Sequence, residues 1–369
     1  MTRHGPRPAE TATKTLVNVG PRKICLLGGY GDVGLRLAGL LHDQTPHTIA
    51  LAGRDGERAD YAARTVGARC QGLALDMRGP GALAQLADMD LCVNLTEATP
   101  PRVAADLIAN GAHFIDSAAS PAYVADLRQA IAAVQVPRAI GVLETGVAPG
   151  LTNLLAQGMC VAHPEIRSID ILIELGMGTH HGLAATEWTL QALAQSYPMK
   201  TGGQWHQART GAISRRFTTD TGSVRAIGFA FSDQASIARD LDLDGVRTFL
   251  AIDPGWMTRA VGWLSQGALG TMLARRSGPV ARAMLRLPPM GGSETRLFVE
   301  GYNGHGEAIA ARRLIAGAQA GMTAAVIAQA VQQALRRGAQ LPPGMQALHA
   351  LLDPASIRDQ PFAIAGYDL

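Results

Sequence analysis

The segment Ile24-Cys25-Leu26-Leu27-Gly28-Gly29-Tyr30-Gly31-Asp32-Val33-Gly34 is an apolar run that breaks into the spacing G-x-G-x-x-G at Gly29, Gly31 and Gly34. In that spacing the three glycines play different parts. The first makes a tight turn, the second lets the backbone approach a pyrophosphate, and the third lets a helix pack on a strand. The chemistry is anion binding by main-chain N–H groups at the positive end of a helix, with Tyr30, Asp32 and Val33 inside the turn. A glycine triplet alone is weak evidence in a chain with 42 glycines. A strand before it, an amphipathic helix after it and a second strand beyond make a dinucleotide site the stronger reading over a purely structural turn.

Which dinucleotide depends on the end of the second strand, where an acidic residue bonds the ribose 2′-hydroxyl of NAD and an arginine accommodates the 2′-phosphate of NADP. Here that strand ends Leu51-Ala52-Gly53-Arg54-Asp55. Gly53 stands where the acid is expected and Arg54 follows, so a guanidinium can face a phosphate without carboxylate repulsion, which favours NADP(H). The competing reading leaves Arg54 solvated and bends Asp55 back to the ribose. Asp76, after Leu73-Ala74-Leu75, is placed either to meet the adenine edge or to cap a helix before Pro80. The fourth strand ends Asn94-Leu95-Thr96. Ligands of open parallel sheets bind beyond the carboxyl ends of the strands, so Asn94 and Thr96 are expected beside the cofactor rather than in the core.

Holding such a site takes alternating strands and helices. Strand-sized apolar runs lie at Ile24–Leu27, Ile49–Ala52, Leu73–Leu75, Leu91–Leu95, Phe114–Ile115 and Ala139–Leu143, and helical patterns between them at Val33–Leu41, Glu57–Thr65, Pro101–Asn110 and Pro121–Ala133. This order specifies a Rossmann-type, doubly wound parallel sheet covered on both faces. After Gly150 the pattern changes: a helix at Leu151–Ala162 leads to strands at Ile169–Leu175, Val224–Phe231, Val246–Ile252, Glu294–Glu300 and Ala308–Ile315. They are too far apart for βαβ units, which predicts an inserted α+β domain with a mixed or antiparallel sheet. A last helix at Met322–Arg337 is stopped by Leu341-Pro342-Pro343-Gly344. The expected organisation is a disordered leader over 1–21, an NADP-binding domain over 22–150, a substrate and dimerisation domain over 151–318, and C-terminal helices over 319–369 that return to the first domain.

With these elements in place the chain resembles the saccharopine dehydrogenase-like family, that of saccharopine reductase and its relatives. The resemblance rests on Gly29-Tyr30-Gly31, on Ala52-Gly53-Arg54, on Val93-Asn94-Leu95 through Pro101 with Gly111-Ala112-His113-Phe114-Ile115-Asp116, and on Gly146-Val147-Ala148-Pro149-Gly150-Leu151-Thr152-Asn153. The last of these is the most specific. Gly146 and Gly150 permit an unusual backbone path there, Gly146 is expected against the cofactor, and Pro149 fixes the start of the next helix. The likeness is good over 22–150 and continues thinly through Phe231-Ser232-Asp233-Gln234 and Pro343-Gly344. It implies reversible hydride transfer between a nicotinamide and a carbon–nitrogen bond of an amino-acid-like substrate, and it does not carry the identity of that substrate.

Such a reaction needs a way to keep an iminium protonated and cations or amide donors for substrate carboxylates. Asp116 and Glu144, at the ends of the fifth and sixth strands, share the rim of the glycine turn and are the candidates for stabilising the iminium or relaying a proton. A helix cap for Asp116 and a hinge salt bridge for Glu144 are the structural alternatives. His180 and His181, in Gly178-Thr179-His180-His181-Gly182, are candidate proton donors at the mouth of the second domain. Their adjacency is not a metal-binding spacing, and no metal is expected. Glu187 and Trp188 follow in the next helix. Arg209, Arg215, Arg216 and Arg225 are candidate carboxylate ligands, and Tyr302 a further donor.

The composition bounds the class. The length of 369 residues fits two domains, and 33 Lys+Arg against 30 Asp+Glu leave a net charge of +3. No block of like charges marks a nucleic-acid or membrane tail, and no apolar run is long enough to span a bilayer. Four scattered cysteines, Cys25, Cys70, Cys92 and Cys160, suggest neither a disulfide framework nor a zinc cluster. A cytoplasmic homodimer acting on a small amino-acid-like molecule is the expectation. The leading reading is an NADPH-dependent oxidoreductase that reduces an imine, or oxidises the C–N bond of a secondary amine, derived from an amino acid. A second keeps fold and cofactor but reduces a ketone or keto acid. A third is a catalytically silent NADP-binding sensor or scaffold.

Overall fold

The computed structural model describes residues 20–178, 182–219 and 222–354. Its first half is built from β1 (Lys23–Leu27), α1 (Asp32–Gln44), β2 (Thr48–Gly53), α2 (Gly56–Val66), β3 (Cys70–Ala74), the short α3 (Ala82–Gln85), β4 (Leu91–Asn94), α4 (Pro101–Asn110), β5 (His113–Asp116), α5 (Pro121–Ala132) and β6 (Ile140–Val142). The helix starts follow local chemistry. Asp55 caps α2 by accepting from the Arg58 N–H, and α4 and α5 begin on Pro101 and Pro121, whose missing N–H is not needed there.

The second half contains α6 (Thr152–Ala162), β7 (Ser168–Met177), α7 (Leu183–Ala192), β8 (Ser196–Thr201), β9 (Gln204–Arg209), β10 (Ser214–Thr219), β11 (Gly222–Gly228), α8 (Asp233–Asp240) and β12 (Gly245–Asp253). It continues through α9 (Trp256–Ser265), α10 (Ala268–Arg275), α11 (Ser277–Met284), β13 (Met290–Tyr302), β14 (Ala308–Ala316), α12 (Gln319–Arg337) and β15 (Gly344–Gln346).

Seven parallel strands form one sheet in the order β15-β6-β5-β4-β1-β2-β3. This is the doubly wound, Rossmann-type arrangement. A second, mixed sheet runs β10-β11-β12-β7-β13-β14, with the β8–β9 hairpin attached through β12. Gly344–Gln346 falls where the sequence predicts only helices, but it is a strand parallel to β6: Pro342 and Pro343 end the helical path and the next residues reach the sheet edge. One helix and one strand, rather than helices alone, rejoin the first sheet.

Period-two alternation in β1 serves both faces. Ile24 and Leu26 join Leu37 and Leu41 of α1 and Val326, Ile327 and Val331 of α12, whereas Cys25 and Leu27 join Val103 and Leu107 of α4 and Val124 and Leu127 of α5. Each large side chain fully buried here contributes roughly 1.5–3 kcal/mol. The first core is continuous with Ile169, Ile171, Leu250 and Val299 of the second sheet, which fixes the two sheets against one another. Among the described residues no helix is long and apolar enough to cross a membrane.

Candidate active site

The glycine turn joins β1 to α1 at the carboxyl edge of the first sheet. The positive φ of +84° falls on Gly28, one residue before the triplet, and the N–H groups of Gly28 and Gly29 both bond Ala52 O of β2. Gly29 is required by closeness: a Cβ there would sit 2.8 Å from Leu26 O and 2.9 Å from the Leu51 Cα. A Cβ on Gly34 would come within 2.5 Å of Gly29 O, so the third glycine lets α1 close on the turn itself rather than on a strand. Gly31 is exposed and caps α1, and a Cβ there would fill the space in front of the turn, 3.2 Å from Gly28 O. The first-turn N–H groups of Asp32 and Val33 have no partner within the helix, as at any helix start. The turn thus fits a dinucleotide pyrophosphate. The Asp32 carboxylate is drawn aside by Arg36 at 2.9 Å.

At the end of β2, Gly53 has a reason to be glycine that the sequence did not disclose. A Cβ on it would lie 2.2 Å from the Tyr30 ring, which covers the position where dinucleotide sites carry their acid. The Arg58 guanidinium stacks on the other part of that ring, 4.8 Å from its centroid. Asp55 is committed to capping α2 at 3.1 Å, against the reading that bends it to a ribose. Arg54 is exposed and makes no ion pair among the described residues. Asp76 Oδ1 accepts from the Arg78 N–H at 3.0 Å, closing a turn after β3 rather than capping a helix; α3 starts at Ala82 behind Gly81.

Along the rim of β4 to β6, Thr96 lies against Gly28, where an added Cβ would meet its own Cβ at 3.6 Å. Asn94, expected beside the cofactor, is instead fully buried: its Nδ2 donates to Asp116 Oδ2 at 2.6 Å and to Tyr123 Oη at 3.1 Å, and its Oδ1 accepts from Thr99. Its side chain turns back between the strands because Asp116, on the neighbouring strand, needs a donor. Asp116 is itself fully buried and its Oδ1 accepts from the Ala118 N–H. It is therefore a positioning group behind the rim. Gly146 is also buried, packed against Thr323 of α12 and Pro149 O, so it serves the hinge. Pro149 has extended backbone and α6 begins at Thr152, so Pro149 precedes the helix without starting it.

Glu144 differs from these. It is 4% exposed, it holds a left-handed φ of +59°, and the hydroxyls of Ser232 and Ser236 lie beside its carboxyl, although its Oε1 makes no well-formed hydrogen bond. Its Oε2 faces the Arg128 guanidinium at 3.5 Å, and Arg128 is shared with Asp240 at 3.4 Å. These three side chains line a cavity of about 240 Å³ together with Asn153, Gln157 and His349. Gln157 Oε1 is a second buried acceptor without a partner. Two carboxylates against one guanidinium leave the wall with an excess negative charge before His349 is counted. The cavity lies between the first sheet and α8 of the second domain, and α8 contributes a further buried acid, Asp233, held by Thr152 and Thr248 at 2.8 Å each.

Burial is the main cause that raises all three acids: Asp116 to about 7, Asp233 to about 6, and Glu144 upward, with the charge of Glu144 adding to both aspartates. An unfolded aspartate titrates near 3.9. At these acids the folded chain holds more protons than the unfolded one between about pH 4 and about 7, so the stability they contribute at pH 4 is lost as the pH rises through 7, while His47 and His113, whose pKa values burial lowers, act in the opposite sense. In urea unfolding at pH 5, 6, 7 and 8, Asp116→Asn is expected to shift the slope of free energy against pH upward by up to about 1.4 kcal/mol per pH unit relative to the parent. An identical slope in the variant would remove Asp116 from this account.

The remaining candidates lie elsewhere. His180 and His181 are outside the described residues. Trp188 donates to Ser120 Oγ at 3.0 Å and packs on Phe229 and Phe231, tying α7 to the first domain. Arg215 is held by Asp170 and Glu300 on the second sheet, and Arg209, Arg216 and Arg225 lie on neighbouring strands β9 to β11, so this cluster does not meet the rim. Tyr302 donates to Glu300 in the same network. Sequence reasoning missed Arg128, Asn153, Gln157, Asp233 and Asp240 as site residues; only Asp233 and Asn153 stood in segments carrying the family resemblance.

No protein-family model matches the sequence, and no curated protein aligns with it. Solved structures share the fold across nearly the whole chain. Saccharopine dehydrogenase (L-Glu forming) from Saccharomyces cerevisiae superposes with a TM-score of 0.64 at 13% identity, over 94% of this chain and 100% of that one. Homospermidine synthase from Legionella pneumophila, solved in complex with NAD, superposes with a TM-score of 0.65 at 12% identity, over 95% of this chain and 91% of that one. The chain has the fold of these proteins, as its motifs led one to expect.

Proposed function

We propose that this chain is an NADP(H)-dependent oxidoreductase that reduces an imine derived from an amino acid, or oxidises the corresponding secondary amine. The observation that carries the reading is the buried Glu144 carboxylate, facing Arg128 at 3.5 Å, in the wall of a cavity on the same strand rim as the glycine turn. Gly29, Gly31 and Gly34 with the N–H groups of Asp32 and Val33 would hold the pyrophosphate, and Arg54, aided by Arg58 on Tyr30, the 2′-phosphate. When bound, the nicotinamide supplies the hydride.

The protein's own part is electrostatic. Glu144 presents a carboxylate that can face a positive iminium or ammonium, and a cation there offsets the excess negative charge of Glu144 and Asp240 around Arg128. Gln157 Oε1 offers a second acceptor. A cavity of about 240 Å³ is smaller than the roughly 300–1,000 Å³ of a whole-ligand pocket, so it suits one polar end of a substrate. Asp116, behind the rim, keeps Asn94 in place.

NADPH consumption with a panel of keto acids, measured alone and then with primary amines added, tests the reading. Turnover is expected only when both are present. Turnover with keto acid alone makes the chain a carbonyl reductase, and cofactor binding without turnover on any pair makes it a sensor or scaffold.

A further inference from the structure

The net charge of +3 conceals an uneven distribution. Residues 254–293 contain five arginines, Arg259, Arg275, Arg276, Arg282 and Arg286, and no aspartate, glutamate or lysine. This stretch folds as α9, α10, α11 and the start of β13. Its inner side is accounted for: Val261, Leu273, Val280 and Met284 pack with Leu190, Leu193 and Ala281 against α7. Its outer side is not. Trp256 and Trp263 are 55% and 72% exposed, and Leu269, Met272, Leu287 and Met290 are exposed as well. These six are half of the twelve large exposed apolar side chains among the described residues.

Trp256 and Trp263 are seven residues apart on α9 and so share one helix face. None of the five arginines forms an ion pair among the described residues, so their charge faces outward with the tryptophans. Indole rings with apolar neighbours and arginines, with Glu187 and Asp253 the carboxylates at the edges, are the chemistry of a surface that enters the headgroup region of a bilayer. A sheet of phosphates over acyl chains satisfies the arginines and the indoles together.

We propose that the outer face of α9–α11 docks on a phospholipid surface bearing net negative charge. This differs from the expectation of no membrane contact, which rested on the absence of a block of like charges and of an apolar run long enough to span a bilayer. It is independent of the chemistry proposed above, because none of these residues lines the Glu144 cavity.

The full chain is incubated with vesicles of phosphatidylcholine alone or of equal phosphatidylcholine and phosphatidylglycerol, and vesicle-bound protein is collected by flotation. Binding to the anionic vesicles alone is expected, weakening as salt is raised from 0.05 to about 0.5 M, with a blue shift of the tryptophan emission. Trp256→Ser with Trp263→Ser is expected to lower binding at least tenfold, and Arg275→Gln with Arg276→Gln about 25-fold, at about fivefold per arginine. Circular dichroism melting of each variant identifies any loss of fold, and the wild-type vesicle comparison stands without the variants. No flotation with anionic vesicles, or equal flotation with neutral ones, overturns the proposal. So does a dimer in sedimentation that the tryptophan variant dissolves while vesicles stay unbound, since the face would then be a contact between two copies of this chain.

Discussion

Glu144→Gln is expected to lower kcat for imine reduction by about 10³-fold, within the range set by loss of a general acid or base or of a charge facing the reacting group, and to leave NADPH affinity within a factor of two. Glutamine keeps the size and the Oε acceptor but removes the charge that complements an iminium. A second substitution separates chemistry from folding. Glu144 occupies a left-handed φ of +59°, which costs an ordinary residue roughly 1–2 kcal/mol and glycine nothing. Burial also penalises its charged carboxylate. Glu144→Gly should therefore melt at the same temperature as the parent or higher, and be inactive. A glutamate kept where glycine would be more stable is backbone strain held at a functional site. If Glu144→Gly instead lowers the melting temperature and Glu144→Gln keeps its kcat, the residue is a hinge salt bridge to Arg128 and nothing more.

The first sheet was legible because its strands alternate with helices whose ends carry their own signals. Asp55, Pro101, Pro121 and Gly111 punctuate the chain where the structure ends or starts an element. The second sheet was less so. Gln204–Arg209 and Ser214–Thr219 are mostly polar strands at the margin of the sheet, and with few residues buried they leave little period-two pattern to read. Among site residues, the carboxyl-end rule gives the height of Asn94 and Asp116 on the rim but not the direction of their side chains, and both turn inward to satisfy each other. Asp233 and Arg128 were hidden for another reason. Asp233 gains its setting from Thr152, 81 residues earlier, and Arg128 from Asp240, 112 residues later, and no local spacing encodes such meetings. Gly53 was read as a missing acid, which is half of its story; the Tyr30 ring over it supplies the rest.

Arg54→Ala is expected to raise the Kd for NADPH about 10- to 100-fold and to leave that for NADH within threefold. A charge-assisted hydrogen bond to a phosphate is worth roughly 1.5–3 kcal/mol, or about 10- to 150-fold, and NADH lacks the group that would feel its loss. Arg54 is exposed at the end of β2 and makes no ion pair among the described residues; Arg58, stacked on Tyr30, can recover part of the attraction, which holds the expected loss below the upper limit. The usual way to reverse such a preference is a carboxylate at the end of β2. The Cβ of Gly53→Asp would fall 2.2 Å from the far end of the Tyr30 side chain, which can swing aside, so Gly53→Asp with Arg54→Ala should favour NADH. Titration of protein fluorescence with each dinucleotide reads both results. An unchanged NADPH to NADH ratio in Arg54→Ala would assign the phosphate to Arg58 or reject NADP(H) as the cofactor, and Arg58→Ala, compared in the same titration, distinguishes these two outcomes.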